Sequence, residues 1–145
     1  MKAIMTAALA GGFAAGLACG GDGSGPSRSE LAGTWQLTKC EYVSTQGLGS
    51  VDLIAGGGSG TVTITADTIR ITVTPAGGAP ETFAGTYEID GIDLMRVTPL
   101  GASWYWAFDM NFSGNHLTLR NGSAEYDINQ DGTPDPAKWN MEMTR

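Results

Sequence analysis

Beyond residue 30 the chain alternates apolar and polar positions with a period of two, the spacing of strands that bury one face. In residues 61–73, Val62 and Ile64 share one face, and Ile69, Ile71 and Val73 form a second set. Thr61, Thr63, Thr65, Thr68 and Thr72 fill the opposite faces, with Ala66-Asp67 as a tight connection, which predicts a half-buried hairpin. Residues 81–90 set Phe83, Gly85, Tyr87 and Ile89 against Thr82, Ala84, Thr86 and Glu88, and residues 94–99 read as a short strand ending before Pro99. The strongest run places Trp104, Trp106, Phe108, Met110 and Phe112 on one face and Tyr105, Ala107, Asp109 and Asn111 on the other. Asp109 and Asn111 require a wet face, so this is an antiparallel strand with one dry side. Residues 116–120 and 124–128 flank Asn121-Gly122-Ser123, which reads as a hairpin turn or as a bulge in one long strand. A last alternation sets Trp139, Met141 and Met143 against Asn140, Glu142 and Thr144.

No long segment of period 3.6 follows residue 18. Residues 50–55 (SVDLIA) read as one short helical turn capped by Ser50, ahead of the breaker at 56–60. The pattern predicts seven or eight strands, or eight or nine if Asn121-Gly122 turns the chain. Short connections and the lack of strand–helix alternation make the fold class all-β. An antiparallel up-and-down barrel of about eight strands is favoured over a sandwich, because a meander of that size loses its exposed edges by closing.

The first residues, MKAIMTAALAGGFAAGLAC, read differently. Lys2 supplies a positive start, and residues 3–18 are apolar or small, too short for a comfortable membrane span of ~20 residues. Residues 1–18 therefore read as a secretory signal peptide. The segment Gly16-Leu17-Ala18-Cys19 resembles the lipobox of bacterial lipoproteins, with its leucine one place later than that family's usual position. The resemblance implies lipidation of Cys19 by a diacylglyceryl group and a palmitate-type acyl chain on the amine, a multiply anchored terminus. The Gly/Ser-rich residues 19–29 then serve as a flexible leash to a single domain at 30–145. Gly20, rather than Asp, after the cysteine points to the outer membrane by resemblance to lipoprotein sorting. The alternative is an ordinary secreted protein beginning at Cys19. In that case a Cys19–Cys40 disulfide is within reach of the leash; with Cys19 lipidated, Cys40 is a lone buried thiol.

The net charge of −7 comes from 8 basic and 15 acidic residues scattered along the chain. That balance argues against nucleic acid as a partner and against attraction to anionic lipid. Catalysis has little support. His116 is the one histidine, placed after a turn, and no nucleophile elbow, P-loop or Cys/His metal cluster occurs. The protein is not expected to be an enzyme.

Leu31-Ala32-Gly33-Thr34-Trp35-Gln36-Leu37, the mid-chain FAGTYEIDG and a last hairpin with a DxNxDG tip ending in MTR form an ordered set. Together they resemble the lipocalin-like domains of small bacterial lipoproteins, over residues 30–145. The resemblance implies a barrel with its amino end packed under a closed base. It also implies a first-strand tryptophan, here Trp35, stacked against an arginine from the end of the barrel, here Arg145, with Arg120 as substitute. For function it implies an envelope-tethered protein, monomeric, that binds a small apolar or amphipathic ligand. The alternative is a protein-binding module with a filled barrel, such as an envelope inhibitor or assembly factor.

Two candidate sites follow. Trp104, Trp106, Phe108, Met110 and Phe112 line a ligand cavity or else fill the barrel. Residues 127–135 (DINQDGTPD) place oxygen atoms of Asp127, Asn129, Asp131, Thr133 and Asp135 around Gly132, as a calcium loop does. Lys138 stands where such a loop needs a glutamate, so the plainer reading is a polar hairpin tip. No cofactor is expected beyond this weak calcium candidate.

Overall fold

The computed structural model describes residues 25–145. Residues 1–24, with the signal peptide, Cys19 and most of the leash, lie outside the described residues. A four-residue helix, α1 (Arg28–Leu31), precedes nine strands. These are β1 (Gly33–Ser44), β2 (Ser50–Asp52), β3 (Ser59–Ile64), β4 (Thr68–Thr74), β5 (Glu81–Asp90), β6 (Leu94–Pro99), β7 (Trp106–Ser113), β8 (His116–Tyr126) and β9 (Asp135–Thr144). All neighbouring pairs are antiparallel, and β1 pairs with β9. Eight strands thus close an up-and-down barrel. The short β2 hangs on the upper half of β1 (Glu41–Val43), while β3 takes the lower half (Gly33–Gln36) of the same edge.

The alternation in the sequence is the inside–outside pattern of this barrel. Val62, Ile64, Ile69, Ile71, Val73, Tyr87, Met95 and Val97 point inward and are buried, while the threonines between them face solvent. Along β9, Ala137, Trp139, Met141 and Met143 are buried in unbroken alternation. Its two neighbours are not so regular. In β1 the register shifts between Leu37 and Lys39, so the inward set changes from Trp35 and Leu37 to Cys40 and Tyr42. In β8 it shifts between Leu119 and Gly122, with Asn121 at φ 64°. The inward set there passes from Leu117 and Leu119 to Gly122. Asn121-Gly122 is therefore a bulge inside one long strand, not a hairpin turn. A bulge bends its strand and increases local twist, and the two bulged strands flank a β9 of unbroken alternation.

Gly122 at that bulge is required by packing. A Cβ built there would stand 2.7 Å from Cζ and 2.8 Å from Cδ1 of Phe108, and closer still to Cε1. The glycine leaves the middle of the barrel to the phenylalanine ring.

One end of the barrel is closed. Leu31 and Trp35 are fully buried there, and the Trp35 indole N–H donates to the Leu31 carbonyl at 2.9 Å. Ser27 and Glu30 form a reciprocal capping box that starts α1. The Arg145 guanidinium lies 4.3 Å from the Trp35 ring centroid and donates to the carbonyls of Glu30 (2.7 Å) and Ala32 (3.0 Å). Arg120 is elsewhere, paired with Glu142. The Arg145 backbone N–H donates to Asn115, which holds the end of the chain against the β7–β8 turn. Gly25 approaches the carbonyl of Gly91 so closely that a Cβ would sit 2.6 Å from it, so the chain enters across the base.

Two local expectations are corrected. Residues 50–52 are strand, not helix. The Asp52 carboxylate accepts from the amides of Ile54 and Ala55 and ties down the turn that follows. Pro99 lies within β6, at its last position, where no further ladder donor is needed. Ahead of β1, α1 spans residues 28–31 and Gly25 packs against Gly91.

Candidate functional site

The opposite end of the barrel is open. There a cavity of about 460 Å³ is lined by Tyr42, Phe83, Trp104, Trp106, Ser123, Ala124, Glu125, Pro136 and Trp139. Each aromatic wall is placed by a different element. Phe83 stands near the start of β5, Trp106 at the start of β7 and Trp139 near the upper end of β9. Tyr42 is brought inward by the β1 bulge; without that extra residue, strict alternation from Trp35 would point it to solvent.

The rings are mutually braced. Tyr42 stacks on Trp139 (centroids 5.7 Å apart, interplanar angle 11°) and on Tyr126 (4.3 Å, 10°). Trp106 stands nearly perpendicular to Trp139 (81°), Phe83 (80°) and Trp104 (79°). Such edge-to-face contacts are each worth ~0.5–1.5 kcal/mol beyond area burial. The cavity wall is therefore a set of rings in mutual contact: Trp106 stands at right angles to three neighbours, Phe83 and Trp139 tilt at 60°, and Tyr42 lies parallel to Trp139.

The stripe read from the sequence separates into three levels. Trp104 precedes β7 and is 53% exposed at the rim. Trp106 lines the cavity. Phe108 and Met110 are buried in the core, and Phe112 packs edge-on to Trp35 at the closed base (6.3 Å, 76°). The grouping of all five in one cavity is thus corrected: of them, Trp104 and Trp106 line it. The physical reason is length. Six residue steps from 106 to 112 span ~20 Å of strand, the depth of the barrel, so one ligand cannot touch the whole face. Sequence reading missed Tyr42, Phe83 and Trp139 as wall residues. The alternation of β9 marked Trp139 as inward, but its level in the barrel needed the register.

Beneath the cavity, Cys40 is buried and unpaired among the described residues, and accepts the Trp139 indole N–H at 3.3 Å. Burial pushes its thiol up to about 11. Burial also raises Tyr42 and Tyr126, and the Glu81 carboxylate pushes both the same way. A thiol so held is neutral and a poor nucleophile at neutral pH.

The loop at 127–134 joins β8 to β9 on the open rim. Asp127 accepts the amides of Asp131 (3.0 Å) and Gly132 (2.9 Å), and Asn129 Oδ1 also accepts from Asp131. Asp131 accepts from Thr133, which holds its carboxyl below the usual carboxylate range. Asp135 accepts from Ile128. Each acid of the loop thus answers one of its own amides. Among the described residues, no three His, Cys, Asp or Glu side chains converge as a metal-ligand group. His116 is exposed at the closed end, at the β7–β8 turn.

No protein-family model matches the chain, and a search of curated proteins finds no significant match. Among solved structures, one of EF1p2_mFAP2b bound to DFHBI is similar to this chain. It is 15% identical, with 82% of this chain and 96% of that one covered and a TM-score of 0.47. The architecture of this chain stands on its own strand pairing: it is an antiparallel β-barrel of eight strands with one extra strand.

Proposed function

We propose that the open mouth binds a small apolar or amphipathic molecule, as the working part of a monomeric protein lipid-anchored through Cys19 in the bacterial outer membrane. The observation that carries the binding reading is the cavity itself. Its ~460 Å³ lies within the usual range for small-molecule sites, and five aromatic side chains wall it at the one end that no helix plugs. Trp104, more than half exposed, contributes little to the core and much to the rim. The anchoring reading rests on the lipobox-like residues 16–19 and on the leash entering at the base, which leaves the mouth at the end away from a tether.

The test is titration of tryptophan fluorescence, since Trp104, Trp106 and Trp139 all border the cavity. Small amphiphiles are expected to perturb the emission saturably. Trp104→Ala should weaken binding several-fold and cost only ~1–2 kcal/mol of stability, through its edge contact with Trp106 and its half-buried surface. Absence of saturable binding across neutral, anionic and cationic amphiphiles refutes the reading. A mass measurement on mature protein from its own envelope checks the anchor: an unmodified Cys19 removes it.

A second reading has one observation in its favour. Leu100, 73% exposed, Tyr105 and Leu48 stand on the loops around the mouth, and an apolar rim of this kind also suits a partner protein. Replacing Leu100 and Tyr105 with serine separates the two, because a cavity ligand is indifferent to both.

A further inference from the structure

The cavity has a charge as well as a shape. The segments that form the open rim, residues 45–58, 75–83, 99–106 and 123–139, hold six acids (Asp52, Glu81, Glu125, Asp127, Asp131 and Asp135) and one base, Lys138. Glu125 borders the cavity from the outer face of β8, which it shares with Ser123, and none of the lining residues is Lys or Arg. Glu81 is two residues from Phe83 on the same strand face, opposite the buried, inward-facing Val73. It is thus the inward-phase residue at the very top of β5, a carboxylate over an aromatic box. Burial is the main cause that raises Tyr42, Tyr126 and Cys40, and the Glu81 charge adds to it in the same direction at all three. Lys138 faces the outer wall, with its Nζ near Ser123 Oγ at 3.3 Å.

We infer that the mouth is built for an organic cation: an alkylated ammonium head seated among Trp106, Trp139, Trp104 and Phe83, under Glu81, with a short apolar tail. This rests on the mouth being a binding cavity and adds the chemical class of what it takes. Ring faces carry negative charge density and attract a cation within ~6 Å of their centroids. Here Trp106 meets Trp139, Trp104 and Phe83 at about right angles, and Phe83 and Trp139 are tilted at 60°, angled walls that fit a compact rounded head. A flat guest needs a slot between parallel rings, and the parallel pairs in this wall, Tyr42 with Trp139 and Tyr42 with Tyr126, are already closed on each other. The acidic rim raises the local concentration of cations and lowers that of anions, an effect that salt screens.

The probes are hexyltrimethylammonium chloride, 1-hexanol and sodium hexyl sulfate, titrated into the wild-type chain by calorimetry and tryptophan fluorescence. The cation is expected to bind at least ~10-fold more tightly than the other two. That advantage should shrink several-fold between 0.05 and 0.5 M NaCl, with hexanol unaffected. Glu81→Gln, an isosteric change at an exposed position, should weaken the cation ~3–10-fold and leave hexanol unchanged. Equal or tighter binding of hexanol or hexyl sulfate overturns the cation assignment and leaves the cavity reading standing. Failure of all three to bind overturns both. A cation preference that survives 0.5 M NaCl and Glu81→Gln intact overturns the role given to the rim acids.

Discussion

Replacing Gly122 with alanine tests the packing argument at the β8 bulge with a single methyl group. Gly122 is not among the glycines with positive φ, so alanine meets no backbone penalty of the left-handed kind, and the effect isolates the side-chain contact. The new Cβ would stand 2.7–2.8 Å from two ring carbons of Phe108 and nearer to a third. Ordinary carbon contacts lie at ~3.5–4.0 Å, so the ring must retreat by ~1 Å or the strand must move. Phe108 is fully buried and packs edge-on against Trp139 at 5.9 Å, so a retreating ring is pressed into its neighbours. Overpacking of this kind costs ~1–3 kcal/mol, with a displaced rotamer near the lower end of that range. We expect ~2 kcal/mol, read as a fall in the urea midpoint of ~1 M at an m-value of ~2 kcal/mol/M. Phe108→Leu in the same chain should recover more than half of the loss caused by Gly122→Ala, a coupling visible in the double-mutant cycle. A Gly122→Ala protein within ~0.3 kcal/mol of wild type, or an additive cycle, refutes the close contact and the reason given for the glycine.

Other expectations concern the base, the thiol and the rim loop. Arg145→Ala should cost ~1–2 kcal/mol by removing the guanidinium from Trp35 and from the carbonyls of Glu30 and Ala32, and Arg145→Lys should restore less than half, because lysine lacks the planar fork; equal stability of all three, by thermal unfolding, would show that the latch is idle. Cys40 titrates at about 11 in the fold against 9.0 as reference, so its contribution of roughly 2–3 kcal/mol is complete below pH 9 and is lost as pH rises towards 11. Stability should therefore fall in that window, with a shallower slope in Cys40→Ala, measured by urea unfolding from pH 7 to 11. In native protein at pH 8, iodoacetamide should label Cys40 at least ~100-fold more slowly than in denaturant, since little thiolate and no access are available; rapid labelling contradicts the burial. Asp127→Ala deprives two amides of their acceptor and should cost ~1 kcal/mol, equally in EDTA and in millimolar calcium; a calcium-dependent difference in melting temperature would identify the loop as a cation site.

The architecture was legible because alternation with period two runs unbroken through most strands, β1 and β8 excepted, and because threonine marks the outer faces of β3 and β4. Three kinds of information were not. The bulges at Thr38 and Asn121 invert the inward phase of β1 and β8, and only pairing with β9 reveals the inversion; Tyr42 was hidden for that reason. Depth along a strand is also silent in the sequence, so the 104–112 face read as one site although Phe112 reaches the base and Trp104 leaves the strand altogether. Helix α1 is too short for periodicity to show. Its signal was the Ser27-x-x-Glu30 capping box, four letters inside a stretch whose Gly/Ser composition argued for a leash.

The pairing of β1 with β9 also sets an order of events. It joins residues 36–44 to residues 137–144, and the indole that covers Cys40 lies 99 positions later in the chain. Contacts of such sequence separation form late and place all-β domains among the slow folders, in milliseconds to seconds. Until β9 docks, β1 and β8 each present an unpaired edge, and the Cys40 thiol has neither its tryptophan donor nor its burial. Oxidants and alkylating agents thus meet a near-ordinary cysteine during that interval and an inert one afterwards. Cys40 becomes a clock for barrel closure, and pulse-labelling it during refolding would time the docking of the last strand.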